Sequence, residues 1–173
     1  AMNDAIGGSF SARVNMNLRE DKGWSYGAQT LLWGARGQRP WIVYAPVQTD
    51  RTADSLSELL REFTEFTSTN PATEAELERS VNNSTRSLPG QFETASAVRG
   101  SLVSSFNYGR DWNYPATLTE RYRALELGPI HEAAEDVVNT DNLVWLIVGD
   151  AAVIEDSIRD LDMGEIEIRT LGQ

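Results

Sequence analysis

Gly7 to Gly27 reads GGSFSARVNMNLREDKGWSYG, and its interpretation decides the rest of the chain. Phe10, Val14 and Leu18 recur every fourth residue and predict one face of a short helix. Arg19 follows at the end of that helix. Glu20, Asp21 and Lys22 are polar, and Gly23 offers the left-handed conformation that commonly stops a helix. From Trp24 the pattern changes to alternation. Trp24, Tyr26, Ala28, Thr30 and Leu32 are expected on one face of a strand, with Ser25, Gly27, Gln29, Leu31 and Trp33 on the other. The turn between the two elements brings Arg19 back beside Tyr26. A guanidinium and a phenol so placed can both donate hydrogen bonds to one carbonyl oxygen.

Downstream, Gly34 to Pro40 is rich in breakers and predicts a hairpin turn. Trp41 to Val47 is the returning antiparallel strand, with Trp41, Val43, Ala45 and Val47 on one face. Thr49, Asp50 and Thr52 are candidate caps for a helix to about Thr67, whose apolar stripe is Leu56, Leu59, Leu60, Phe63 and Phe66. Thr73 and Glu76 have capping-box spacing and open a helix that turns Leu77, Val81 and Leu88 inward. Pro89 and Gly90 break it. A further helix is expected from Gln91 to Asn107, with Phe92, Ala95, Leu102, Val103 and Phe106 inward. Packing is the expected role of Tyr108, Trp112 and Tyr114 in the loop that follows. Shorter helices are expected near Leu118–Leu127, Pro129–Val138 and Ala151–Asp160. Leu143 to Val148 is an unbroken apolar run and reads as a strand covered on both faces. Glu165 to Arg169 reads as a last short strand. Strands, then helices, then a strand indicate an α+β fold, with helices mainly on one face of an antiparallel or mixed sheet.

The bulk properties bound the function. The 173 residues are enough for one domain with a sizeable core, and the 40% apolar content lies well above the disordered range. Acidic residues outnumber basic ones 26 to 15, a formal charge of -11. That balance argues against nucleic acid, because little would neutralise phosphates. A cationic peptide is compatible with it, and so is an ordinary solvated acidic surface. With no cysteine there is neither a disulfide nor a thiolate metal site. No apolar run approaches membrane-spanning length.

The stretch Leu18 to Gly27, LREDKGWSYG, resembles the Arg-bearing helix end and following strand in the C-terminal, substrate-binding domain of insulinase/pitrilysin-type zinc peptidases, a group that includes the mitochondrial processing peptidases. Gly7, Gly8, Phe10, Arg13 and Asn15 fit the same pattern, as do LPGQFET (Leu88 to Thr94) and LIVGD (Leu146 to Asp150). The resemblance implies that Arg19 and Tyr26, seven positions apart, contact a peptide near a zinc ion and stabilise the developing oxyanion. Neither an arginine nor a tyrosine serves as a general base at neutral pH. It also implies zinc in the complete enzyme, with ligands outside this chain. The family's H-x-x-E-H motif is absent here, and the single histidine, His131, lies in HEAAE, four residues before Glu135. The expected partners are a zinc-binding N-terminal domain or subunit of the same family and a peptide substrate.

On the same resemblance the chain is a C-terminal fragment of a longer peptidase, inactive alone, and its sheet lacks an N-terminal strand. That strand would lie between Trp41–Val47 and Leu143–Val148, so the open edge is expected to recruit a partner, including self-association through the sheet. A bacterial periplasm is preferred over cytoplasm or mitochondrion. Two other readings stand beside this one: a non-catalytic partner or scaffold subunit with the same fold, and an unrelated acidic α+β binding domain.

Overall fold

The structure is a computed structural model and describes residues 1–170. The chain opens with a π-helical turn at Asp4–Gly8. A short helix, α1 (Arg13–Asn15), continues without a break into a wider π-helical segment, Met16–Asp21. Strands β1 (Gln29–Leu32) and β2 (Trp41–Tyr44) pair antiparallel, with Thr30 opposite Val43 and Leu32 opposite Trp41. Six helices follow: α2 (Thr52–Phe66), α3 (Glu74–Ser87), α4 (Ala95–Asn107), α5 (Tyr114–Arg123), α6 (Leu127–Val137) and α7 (Ala151–Arg159). A two-stranded sheet among helices makes the fold α+β.

The core lies between the first turns, the inner face of the sheet, α2 and α6. Ile6, Val14, Leu18, Phe63 and Phe66 are fully buried in it, with Leu59, Ile130, Ala134 and Val138 around them. The apolar stripe of α2 falls where its spacing places it, and the edge of Phe63 meets the face of Trp41 at 5.1 Å between ring centres. The N-terminal turn approaches β1 too closely for a side chain. A Cβ on Gly7 would fall 2.5 Å from Thr30 Cγ2 and 2.8 Å from the Thr30 nitrogen, so only glycine fits there. Asn3 locks the same junction. Its Oδ1 accepts from Thr30 Oγ1 and from Trp41 Nε1, both at 2.9 Å.

The capping box at Thr73 and Glu76 forms as its spacing requires, with both reciprocal bonds present. Thr49, Asp50 and Thr52 do not cap α2 through their side chains. A 3-10 turn, Thr49–Arg51, leads into that helix instead, and the hydroxyl of Thr52 donates to the Thr49 carbonyl.

Three expectations fail. Leu102, Val103 and Phe106 of α4 face solvent rather than the core. The helix instead turns Ser104 and Ser105 toward Tyr114 and Leu118 of α5, because a 3-10 turn at Pro89–Phe92 sets its orientation. Hydrophobicity permits burial but does not compel it. Second, Leu143–Val148 is not a strand covered on both faces. Leu143 and Trp145 pack on the core, while Val144, Leu146 and Val148 are 94, 90 and 91% exposed. Among the described residues this segment has no ladder partner and does not pair with β2. An apolar run records what can be covered, and here one side is. Third, Glu165–Arg169 forms no strand, and Arg169 pairs locally with Glu167.

Candidate functional site

The site is built by the turn between the π-helical segment and β1. Widening of the last helical turn is visible in its hydrogen bonds. The Lys22 nitrogen donates to the Asn17 carbonyl, and the nitrogens of Trp24 and Ser25 both donate to the Leu18 carbonyl. Gly23 adopts a φ of 66°, the left-handed stop that its type allows. The chain then reverses and is held to the strand beyond it by a bridge between Ser25 and Val47. Ser25 also donates to the Pro46 carbonyl at 2.6 Å.

This reversal brings Arg19 and Tyr26 together. The Arg19 guanidinium carbon lies 5.5 Å from the centre of the Tyr26 ring. It lies 4.7 Å from the Phe10 ring as well, and its Nε is 3.2 Å from the Glu20 carboxylate. A guanidinium over aromatic faces is held by their negative quadrupole and keeps its edge donors for another partner. Tyr26 is 91% exposed, which departs from the alternation that put it on the inner face with Ala28 and Thr30. The regular strand begins only at Gln29, and Ser25–Ala28 is irregular, so the period of two does not carry back to Tyr26.

Phe10 departs too. It is 64% exposed, while Val14 and Leu18 are buried. Helical geometry starts at Arg13, and Phe10 lies before it in a turn. The helical spacing hid Phe10 as a member of the site. Its signal in the sequence was its place between the glycine pair and the helix, outside the periodic segment.

Asn15 fastens the two halves of this arrangement. Buried in the core, it donates through Nδ2 to the Phe10 carbonyl at 2.7 Å, and its Oδ1 accepts from the Ala28 nitrogen at 3.1 Å. Asn15→Ala leaves both backbone groups without that partner. We expect a loss of about 2 kcal/mol in stability by urea denaturation, in the range for a buried group left unpaired.

His131 stands apart from the site. Its Nε2 is 2.9 Å from the Ala72 carbonyl. Among the described residues no group of three or more His, Asp or Glu side chains is placed to hold a metal ion. The residues of this chain therefore do not fit a zinc ion.

Residues 1–84 match the family model described as the peptidase M16 inactive domain. No curated protein sequence matches the chain. Among solved structures, the chain is similar to a peptidase M16 inactive domain from Pseudomonas fluorescens, with 18% identity and a TM-score of 0.70 over 79% of this chain and 32% of that one. It is also similar to a protease from Helicobacter pylori, with 14% identity and a TM-score of 0.69 over 80% of this chain and 33% of that one. A candidate zinc protease from Bordetella pertussis Tohama I gives 15% identity and a TM-score of 0.64, covering 82% of this chain and 77% of that one. The chain thus spans about a third of the length of the first two. At these identities the structures speak for the fold, and the matched sequence, with Arg19 and Tyr26 inside it, places the chain in the insulinase-type M16 peptidase family as a domain of its inactive, C-terminal kind.

Proposed function

We propose that this chain is the substrate-binding half of a zinc-dependent metalloendopeptidase, with the zinc on another domain or subunit. The observation that carries the reading is the meeting of Arg19 and Tyr26, distant in sequence and both open to solvent, in the segment that matches the family. In this role the guanidinium edge and the phenol hydroxyl both donate to one peptide carbonyl oxygen. They hold it in place and favour the negative charge that builds there during cleavage. The two donors sit on a turn fixed by Gly23, Ser25 and Asn15, so their orientation is set before a peptide arrives.

The first test is metal analysis of this chain after mild dialysis. The expected result is no stoichiometric zinc and no peptide hydrolysis by the chain alone. One tightly held zinc per chain, lost in His131→Ala, would overturn the assignment of the metal to a different domain or subunit.

A scaffold role is the second reading, and the family model's description as an inactive domain favours it. It predicts that Arg19 and Tyr26 can be replaced in the assembled protein without effect on turnover.

A further inference from the structure

Phe10 presents most of its ring to water, which contributes little to the fold. Its backbone is nevertheless fixed. The Phe10 carbonyl accepts from Asn15, the Ala12 nitrogen donates back to Ser9, and Ala12 is fully buried two residues on. The exposed ring is therefore presented from a rigid base. The side chain it meets is Arg19, whose guanidinium also lies over Tyr26. An apolar ring, a cation and a phenol are thus contiguous on one surface.

An extended peptide held at one carbonyl by Arg19 and Tyr26 sends neighbouring side chains to alternate sides of its backbone. A side chain directed at Phe10 meets a surface that has no hydrogen-bonding group. A polar side chain loses water there without compensation, whereas an apolar one gains burial. The adjacent Glu20 carboxylate further disfavours an acidic side chain. We propose that Phe10 is a specificity-determining residue, forming a subsite for an apolar or aromatic side chain of an extended peptide whose carbonyl is held by Arg19 and Tyr26. The inference rests on the peptide-holding role given above and adds the class of peptide.

Fluorescence anisotropy of the full-length polypeptide tests it with two labelled nonapeptides, identical except for a central Phe or Ser. The unmodified protein is expected to prefer the Phe peptide by about tenfold, the discrimination typical of one apolar group in an apolar site. Phe10→Ala is expected to reduce that preference to less than about threefold while leaving the Ser peptide's affinity nearly unchanged. Phe10→Trp is expected to keep the preference. Because the ring is exposed, Phe10→Ala keeps its thermal midpoint, which circular dichroism checks. An unchanged preference in Phe10→Ala, equal weakening toward both peptides, or no preference in the unmodified protein would each overturn the subsite. Turnover in Tyr26→Phe separates this outcome from the parent reading. Normal turnover with a lost Phe10 preference removes the oxyanion role and leaves the subsite. Reduced turnover with an intact preference does the reverse.

Discussion

Tyr26→Phe in the complete enzyme is expected to lower kcat by about 10²–10³, the effect of removing one donor to a developing oxyanion, or about 2.7–4 kcal/mol. The change deletes only a hydroxyl, and the ring that faces Arg19 stays. Tyr26 makes no hydrogen bond that the fold depends on, since its side chain is almost wholly exposed. Folding and zinc content are therefore expected to match the unmodified protein. Arg19→Ala should act on both kcat and KM, because the guanidinium binds the carbonyl before reaction as well as during it. Arg19→Lys is expected to recover little: an ammonium lacks the planar edge that can lie over the Phe10 and Tyr26 rings while donating outward. Steady-state kinetics on one peptide, with metal content measured in parallel, checks all three. Unchanged kinetics in Tyr26→Phe and Arg19→Ala would return the pair to helix-end and turn chemistry.

Arg13→Ala is expected to cost about 3 kcal/mol of folding stability, the lower end for opening a largely buried ion pair, and to lower Tm by about 6–12 °C. Arg13 joins α1 to the start of α3. Its Nε and Nη2 each lie 2.7 Å from the Glu76 carboxylate in a two-pronged bridge. The guanidinium also donates to the carbonyls of Asn70 and Pro71 and lies over the Phe66 ring. Removing it strands Glu76, which is mostly covered. Glu76 also carries a pH signature. Burial alone would raise its pKa, but hydrogen bonds from Arg13 and from the backbone and hydroxyl of Thr73 outweigh that and bring it to about 2. Because the folded-state value lies below the unfolded one, the stabilisation is complete above the ordinary glutamate range near 4.5 and disappears as pH falls from there through about 2. Arg13→Ala should therefore flatten the loss of stability across that window. Denaturation midpoints measured at intervals between pH 5 and 2 test this; parallel curves for the two proteins would argue against the assignment.

Local signals in the sequence survived folding best where one element determines the answer. The Thr73–Glu76 box depends on a single turn, and the stripe from Leu56 to Phe66 depends on one long helix with a constant period. The meeting of Arg19 with Tyr26 was legible for a similar reason, since the reversal at Gly23 is itself local. The membership of Phe10 was not legible, because a four-residue spacing says nothing about where helical backbone begins. Nor was the solvent-facing side of Leu143–Val148, since neighbours in space decide whether an apolar residue is covered. For α4, a serine face competed with an apolar one, and packing against α5 selected the serines. The bonding of Asn15 to Phe10 and Ala28 joins backbone groups on either side of the turn and leaves no periodic trace.

The wide turn at Met16–Asp21 has a consequence for how this domain varies among related chains. A π-helical turn accommodates one residue more than an α-helical turn of similar height. Deleting that residue would close the turn and swing everything after it by about 100° around the helix axis. Leu18 would leave the core, and Arg19 would point away from both rings. Substitution can adjust the chemistry of this site residue by residue, but a gap in an alignment between Ala12 and Arg19 would dismantle it in one step. The length of that interval is thus a criterion for an intact site, independent of whether the arginine and tyrosine letters are still present.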